Sequence, residues 1–456
     1  MSRPRSVGSV FWGLILIAAG SIFLLKNLGY DVPVWTGIAR YWPVLLIVWG
    51  FLKLIDYVRL KRAGQPGPLF GAGEVVLLII VIMSGTALTA AANMSPDFAH
   101  LFEMANIDLW DITGNSYHFT EHYEMEVPNG SSIEIINRYG SVEVVPADTD
   151  RIIVDVDKTV IAMNETEAGE LSKVLMYSIV EESGRYRVIS NYNRDDNRVR
   201  GRRFKTSLVV KVPKRSTIAL DNRNGSVEVS GITGNQKISN SFGRVVLSRI
   251  DGTVFISNKN DNVTVEDITG DTMIHNEFAN IDVRRVTGEL EVRQRNGGID
   301  LDAIKGDTKV YNAFGSINAR DIQGSLKVSA RNTSVEVSGV ENDVTVDNQF
   351  QSVQLEGVKG GVNVTNRNGS IDIRYEQPPR KNVQVSSQFG DVTLTLPASS
   401  AFSIDARTRF SPVSTNFSEL IEREERERHS ITGQVNSGGP EIRIDNRNGS
   451  IRIEKQ

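Results

Sequence analysis

The segment NRNGSVEV, at residues 222–229, joins a polar corner to an alternating apolar strand. The same phrase returns as NRNGSIDI from Asn366 and as NRNGSIRI from Asn446. Successive 18-residue blocks counted from Asn222 follow one another without insertion as far as Asn366, and asparagine opens seven of these nine blocks. A period that never slips indicates a structural repeat.

Aliphatic β-branched residues fill fixed columns of these blocks. The sixth, eleventh and seventeenth positions are Val or Ile throughout, and glycine recurs at the thirteenth. Such columns are typical of short half-buried strands, with Gly and Asn supplying the backbone angles of the turns. One block cannot bury its apolar side alone, so the pattern predicts an all-β solenoid (a β-helix) of stacked blocks. An antiparallel sandwich is the alternative, but hairpins of varied length would not hold a fixed period.

The third position of the blocks alternates strictly between asparagine and phenylalanine. Stacked β structures favour like residues above one another, so the alternation predicts a 36-residue coil with one asparagine corner and one phenylalanine corner. The predicted structural ladders are Asn224, Asn260, Asn296, Asn332 and Asn368, and Phe242, Phe278, Phe314 and Phe350. Two alternatives stay open: the coil could be a single 18-residue block, and the corner phrase could be a recognition motif in several copies.

Three apolar stretches lie near the start of the chain, at about residues 9–25, 41–58 and 73–92. Each has about the length needed to cross a hydrocarbon core of about 30 Å, and aromatic residues lie near their ends. They predict three transmembrane helices. A signal peptide followed by buried helices is the alternative, but no small-residue cleavage site follows the first stretch.

The short flanks of these stretches predict the orientation. Arg3 and Arg5 precede the first stretch, and Arg59, Lys61 and Arg62 follow the second. Because positive charge marks cytoplasmic loops, three crossings would place everything after about residue 95 outside the cytoplasm. The predicted location is therefore the cytoplasmic (inner) membrane, multi-pass, with an extracytoplasmic C-terminal domain.

The predicted organisation has five parts. A membrane domain at residues 1–95 and a linker at 96–119 are followed by a β-rich cap with one short helix at 120–221. The regular solenoid covers 222–375, and C-terminal coils and a cap cover 376–456. Atypical terminal units are expected because they cover the exposed strand edges of a solenoid. The acidic and basic segment EREERER in the C-terminal cap is expected to be a solvated helix or loop, with helical pairs such as Glu422 and Arg426.

Composition excludes several classes of function. A formal net charge of −4 gives no electrostatic reason to expect a nucleic-acid partner. The chain has no cysteine, which excludes disulfides, thiolate metal sites and a cysteine nucleophile.

Two patterns suggest chemistry, and both have a plainer interpretation. HFTEH, from His118 to His122, matches a zinc-peptidase pattern that requires a helix, but the following YEMEV alternates as a strand. Four of the outward carboxylates at the seventh position of the blocks are candidates, and in a 36-residue coil two of them would be adjacent at about 4.8 Å, near the spacing of a retaining glycosidase pair. These carboxylates are Glu228, Asp282, Asp300 and Glu336, of which Asp300 and Glu336 form the predicted pair. Charged outward positions are equally typical of any soluble solenoid.

A basic cluster in RDDNRVRGRR is a candidate surface for anionic lipid headgroups or wall polymers. A solvated hairpin loop explains it as well. Its members are Arg194, Arg198, Arg200, Arg202 and Arg203.

Two regions of the chain resemble known families. GLILIAAGSIFLLKNLG and YWPVLLIVWGFLKL, at residues 13–29 and 41–54, are similar to the transmembrane region of LiaI and LiaF type bacterial envelope proteins. From about residue 120, the order INRYGSVEV, VVKVPKRSTIAL, NRNGSVEVSGITG and NRNGSIRI resembles a bacterial "putative adhesin" domain with a β-helix fold. The resemblance implies a cell-envelope location and no settled biochemical activity.

Taken together, these features predict a membrane-anchored solenoid with a structural, adhesive or binding role, without catalysis, cofactor or metal. Its expected partners are membrane lipid and, as further candidates, envelope polymers or other envelope proteins. Two other hypotheses stay open: a regulatory accessory in envelope-stress signalling that acts through its transmembrane helices, and a β-helix enzyme acting on polysaccharide.

Overall fold

The structure is a computed structural model, and it describes residues 49–50, 115–191 and 204–456. No helix among these residues has the length and apolar character needed to cross a membrane. The predicted transmembrane helices lie outside the described residues, apart from Trp49 and Gly50. The described residues divide into two compact units, one including residues 115–119, 158–176 and 204–205, the other comprising residues 120–157, 177–191 and 206–456.

Strands make up nearly all of the described secondary structure. The strands before the regular repeat are β1 (Asn115–Glu126), β2 (Ser132–Asn137), β3 (Ser141–Ala147), β4 (Arg151–Ala162), β5 (Tyr177–Glu182), β6 (Arg185–Ser190), β7 (Phe204–Pro213) and β8 (Thr217–Asn222). The regular repeat contains β9 (Val227–Ser230), β10 (Gln236–Ser239), β11 (Val245–Asp251), β12 (Val254–Asn258), β13 (Val263–Thr269), β14 (Thr272–Phe278), β15 (Ile281–Val286), β16 (Leu290–Asn296), β17 (Ile299–Ile304), β18 (Thr308–Ile322), β19 (Leu326–Val340), β20 (Val344–Phe350), β21 (Val353–Val358), β22 (Val362–Asn368) and β23 (Ile371–Arg374). The C-terminal strands are β24 (Val383–Phe389), β25 (Val392–Leu396), β26 (Phe402–Thr408), β27 (Val413–Thr415), β28 (Ile421–Glu425), β29 (Arg428–Val435), β30 (Glu441–Asn448) and β31 (Ile451–Lys455).

The strands stack in parallel as an all-β solenoid of about ten turns, which confirms the predicted fold class. Each turn contributes two strands. Face A contains β9, β11, β13, β15 and their successors, and face B contains β8, β10, β12, β14 and their successors. β18 and β19 are long enough to run from face B through the corner into face A.

Each coil is one 18-residue block, so the predicted 36-residue coil is wrong. Val245 pairs with Val227 before it and with Val263 after it, and Gln236 pairs with Val254. Asn296 likewise lies between two phenylalanines, Phe278 and Phe314, in one mixed row. Like residues are two coils apart, so the predicted separate asparagine and phenylalanine ladders do not form.

The physical reason lies in what the corner asparagines bond. Asn260 donates its Nδ2–H to the backbone oxygen of Ser241 at 3.0 Å, and Asn224 donates to that of Arg138 at 3.1 Å. Both acceptors are main-chain carbonyls of the preceding coil. Because the amide finds its partner in the backbone, it needs no second amide above or below it.

A different asparagine column, the first position of each block, holds the coils together from inside. Asn240 is buried, and its Nδ2 donates to the oxygen of Gly243 in its own corner and to that of Gly225 in the coil before. Asn366 bonds Gly369 and Gln351 in the same way. Buried carbonyls without a partner are costly, so this column satisfies the corner and ties neighbouring coils together.

Close stacking leaves no space for side chains at some corner positions. Gly243 has φ +128, and a Cβ there would lie 2.2 Å from the backbone oxygen of Gly225. Only glycine tolerates both that φ and that approach.

The inner side of both faces is apolar and closed. The sixth-position residues Val227, Val245 and Val263 have no exposed surface, and neither do Ile238 and Ile256 on face B. The β-branched columns read from the sequence are therefore the core.

On the outer surface of the corners, aspartates and asparagines at the fourteenth position form hydrogen bonds to the backbone of the next coil. Asp271 Oδ1 accepts the backbone N–H of Glu289 at 2.9 Å, and Asp343 Oδ1 accepts that of Gly361 at 2.8 Å. Lys381 and the N–H of Gly361 hold the pKa of the Asp343 carboxyl below its usual range. These side chains are structural corner residues.

The stacking continues through both flanks with insertions that interrupt the period. β2 pairs with β8, and β3 with β9, although residues 148–216 intervene. Val362 pairs with Val383, three residues later than the period requires, and β24 pairs with β30 across β26–β29. The helix α1, Glu165–Ser172, lies in the segment where the sequence predicts one, and its N-cap Asn164 accepts the N–H of Glu167.

The EREERER segment is not helical. It forms the antiparallel hairpin of β28 and β29, in which Glu425 pairs with Arg428, and Arg426 has φ +53 in the turn. Strand pairing replaces the helical pair expected between Glu422 and Arg426.

The internal asparagine column can be tested with Asn276→Asp. Asn276 Nδ2 donates to the carbonyls of Phe278 at 2.7 Å and Asp261 at 3.2 Å. A carboxylate would face two carbonyl oxygens in a buried site, and we expect a loss of about 2–4 kcal/mol in the free energy of unfolding. The measurement is denaturant unfolding followed by far-UV circular dichroism. Asn363→Asp, which adds the same charge at an exposed position of face B, should have little effect, and equal losses would contradict the role of the column.

Candidate functional site

A groove of about 550 Å³ runs across six coils on the outer side of face B. Inward residues of the face B strands β8, β10, β12, β14 and β16, such as Val254 and Leu290, form its backbone floor. Its walls are two rows of outward side chains, at the fourteenth and sixteenth positions of successive coils. The first row is Thr217, Asn235, Thr253, Asp271, Glu289 and Asp307, and the second is Ala219, Lys237, Phe255, Met273, Glu291 and Lys309.

Aromatic and charged side chains order the surface beside the second row. The rings of Phe255 and His275 meet edge to face with centroids 5.5 Å apart. Arg293 lies over the ring of Tyr311 at 4.4 Å and donates to Glu291 at 2.6 Å. Edge-to-face rings and a cation over an aromatic face both stabilise such a surface.

The electrostatics of the groove are mixed. Asp271 and Asp307 each accept a backbone N–H of the next coil, so part of the acidic row is already used in the fold. Burial lowers the pKa of His275, and the nearby Arg293 lowers it further, while Glu291 raises it. A groove with an apolar centre at its phenylalanine and methionine and charges of both signs can hold an extended, partly polar ligand.

The predicted carboxylate pair is not adjacent. Asp300 pairs with Asn318, and Asn318 pairs with Glu336, so two strand spacings, about 9.6 Å, separate the two acids. Asn318 Nδ2 fills the interval and donates to Asp300 at 2.7 Å. The prediction is wrong because it assumed the longer coil.

The acid that stands directly beside Asp300 is Asp282. Burial raises the pKa of Asp282, Arg284 lowers it through an ion pair of 2.7 Å, and Asp300 raises it. Both carboxylates are thus engaged with neighbouring side chains. Glu228, Asp300 and Glu336 point outward as predicted, and Asp282 is half-buried.

The HFTEH residues lie in strand β1. His122 Nδ1 is 2.7 Å from Asp155 Oδ1, and His118 Nδ1 is 3.3 Å from the hydroxyl of Thr159. Within the part of the chain that the structure describes, no group of three or more His, Cys, Asp or Glu side chains could hold a metal ion. The strand expected from the alternation of YEMEV is confirmed, and it does not present the helical pair that the zinc pattern requires.

Two further sets of predicted residues are the basic cluster and the third-position ladders. The five arginines of the basic cluster lie outside the described residues. The third-position residues form one row along the corner, and its phenylalanines are exposed.

Sequence reasoning missed the groove. Phe255, Met273 and Tyr311 lie in columns that are otherwise mostly polar, so each reads alone as a scattered surface residue. Only the 18-residue register brings Phe255 and Met273 into neighbouring coils, with Tyr311 two coils further along. Aligning the sixteenth and eighteenth positions on that period would have shown the cluster.

Comparison with known proteins identifies two regions. Residues 131–454 match the family Toastrack DUF4097, and residues 10–54 match the LiaI-LiaF-like transmembrane region. The resemblance drawn from the sequence is thereby confirmed. No curated protein matches the chain.

Solved structures align over about three quarters of the chain at low identity. A "putative cell adhesion protein" from Clostridium sporogenes covers 75% of this chain and 100% of its own, with 10% identity and a TM-score of 0.14. A "putative adhesin" from Bacteroides fragilis covers 75% and 97%, with 9% identity and a TM-score of 0.24. A "putative lipid binding protein" from Parabacteroides distasonis covers 74% and 96%, with 12% identity and a TM-score of 0.19. Scores this low carry no argument about function.

The lowered pKa of His275 predicts a pH dependence of stability. The unfolded chain takes up the proton at higher pH than the folded chain, so stability that is fully present above about pH 6.5 is lost as the pH falls from that value through the lower pKa of the folded chain. The free energy of unfolding of the native chain minus that of His275→Gln should therefore be smaller at about pH 5.5 than at about pH 7.5. Arg293→Gln removes the neighbouring cation, so in that background the change between about pH 5.5 and about pH 7.5 in the effect of His275→Gln should be smaller. A difference independent of pH would show that the surroundings of His275 do not disfavour its charged form.

Proposed function

The chain belongs to the Toastrack DUF4097 family, and we propose that it is a membrane-anchored protein of the bacterial cell envelope whose solenoid binds an envelope component. The LiaI-LiaF-like transmembrane region at residues 10–54 anchors it to a membrane. The role of the solenoid is structural or adhesive.

The groove on face B is the observation that carries this proposal. It is concave, about 550 Å³ in volume, and its apolar centre is flanked by polar groups, which is the composition of ligand sites. Its length across six coils suits an extended ligand, such as a segment of an envelope polymer. The parallel backbone on its floor is a rigid support, so binding orders little of the protein.

We propose further that the anchor crosses the membrane three times and that the solenoid lies outside the cytoplasm. Arg3 and Arg5 before the first apolar stretch, and Arg59, Lys61 and Arg62 after the second, support this orientation.

We propose that the solenoid acts by binding and not by catalysis. The separation of Asp300 from Glu336, with Asn318 between them, supports this view. The second candidate function is a regulatory accessory in envelope-stress signalling, and the LiaI-LiaF-like match in the transmembrane region favours it.

Single cysteines test the orientation, since the native chain has none. A cysteine at the exposed Ser226 should react with a membrane-impermeant thiol reagent on intact spheroplasts, and one at Ser2 should react only after the membrane is opened. The reverse pattern would place the solenoid in the cytoplasm.

Co-sedimentation of the full chain in detergent with an insoluble cell-wall preparation tests the groove. Replacing Phe255 by Ala and Lys237 by Gln removes an apolar and a charged contact, and we expect the affinity to fall at least about tenfold, which is about 1.4 kcal/mol. The matched control replaces Phe410 by Ala and Lys327 by Gln, an exposed phenylalanine and lysine that do not line the groove. Equal binding by both double variants would refute the groove as the site.

A further inference from the structure

One corner of the solenoid carries a row of exposed phenylalanines. Neighbours in this row are two coils apart, with an asparagine between them. The exposed fractions are 50% for Phe242, 43% for Phe278, 46% for Phe314, 37% for Phe350 and 48% for Phe389. At about 4.8 Å per coil the row spans about 38 Å. Five large aromatic rings on one edge form an exposed apolar stripe, which marks an interaction surface.

A second row, of cations, runs beside the first. The residue just before each asparagine of the row is basic, whereas the residue before each phenylalanine is Ser, Glu, Ala or Gln. The cations are Arg223, Lys259, Arg295, Arg331, Arg367 and Arg447, and all are exposed. Among the described residues, none of these six forms an ion pair. Glu277 is the acidic member of this column.

From these two rows we infer that the corner, defined as the phenylalanine row and the adjacent cation row, docks on an anionic lipid bilayer. Exposed rings gain free energy by leaving water for the headgroup and acyl boundary. Arg and Lys at the same level pair with anionic headgroups. Because the coils with a phenylalanine alternate with the coils that carry a cation, each ring lies between two cations. Rings and cations can therefore contact one flat interface together. The register places one residue of the row in every coil along this corner, so an extended surface such as a membrane can contact several rings at once.

The charges argue against other occupants. A second copy could interleave its rings at the asparagine positions, but it would bring two rows of cations together, and like charges at an interface are costly. A soluble polyanion would pair with the cations and leave the rings in water. An anionic bilayer accommodates both rows.

The anchor supplies the proximity. Because residues 10–54 match a transmembrane region, the solenoid is tethered to a bilayer, and docking is an intramolecular event with a high effective concentration. Individually weak contacts of five rings can then add. Of the proposed function, this inference uses only the membrane anchoring. It does not depend on the groove or on the orientation of the anchor.

The test uses the full chain reconstituted in vesicles of phosphatidylcholine with or without phosphatidylglycerol. A cysteine at Gln349, next to Phe350, carries an environment-sensitive fluorophore, and a cysteine at Gln354 on face A of the same coil is the reference position. With anionic vesicles we expect a blue shift and quenching by doxyl lipids at position 349 and neither at 354. High salt should weaken both signals, because screening reduces the attraction of the cations. Either leaflet offers phosphatidylglycerol, so the readout is independent of the orientation of the anchor.

Two sets of variants separate the contributions of the rows. Phe314→Ser with Phe350→Ser, and Arg295→Gln with Arg331→Gln, should each abolish the doxyl quenching. Phe410→Ser and the pair Lys305→Gln with Lys327→Gln change an exposed phenylalanine and two exposed cations outside the corner, and they should leave the quenching intact. Far-UV circular dichroism checks that each variant is folded.

Three results would overturn the inference. The first is a position 349 signal that is the same in both vesicle types or that survives both corner variants. The second is a response to soluble dextran sulfate without any response to lipid, which would assign the corner to a polyanion. The third is efficient disulfide formation between cysteines at position 349 of two chains without lipid quenching, which would assign it to self-association.

Discussion

The hydrogen bonds that the buried asparagine column makes to two successive corners are the interaction on which the solenoid depends. In Asn240 and Asn366, one amide nitrogen serves the carbonyl of its own turn and the carbonyl of the turn before. Such bonds require each coil to repeat the register of the last, and the apolar columns then fall above one another. Gln294 replaces an asparagine of the column and makes the same two kinds of bond. Insertions, such as the one before Val383, are accepted because the strands resume the same pairing afterwards.

The sequence was sufficient for the fold class because core columns must be apolar in every coil. Val227 and its successors are fully buried, and their period was readable directly. The coil length cannot be read from the corner, because Phe242 and Asn260 are not buried and need no like neighbour. The alternation there describes the outer surface. A pattern at exposed positions reflects the binding partners of the protein, whereas a pattern at buried positions reflects its fold.

The same distinction decides how much of the candidate site could be predicted. The sequence correctly predicts that the carboxylates point outward. Which of them are neighbours depends on the coil length, and in the 18-residue coil Asp300 lies between Asp282 and Asn318. The groove depends on Phe255 and Met273 coming from different coils, and no single block contains that information.

A stacked coil is suited to binding surfaces that extend in one direction. Each outward column places one side chain about every 4.8 Å, so a weak contact can be repeated along a rigid line at little entropic cost. The phenylalanine and cation rows share one corner and match in period, although the core requires neither. Selection for folding alone gives no reason for an apolar ring at every second exposed corner, because each ring left in water forgoes the free energy of burial. A partner that covers those rings supplies the reason.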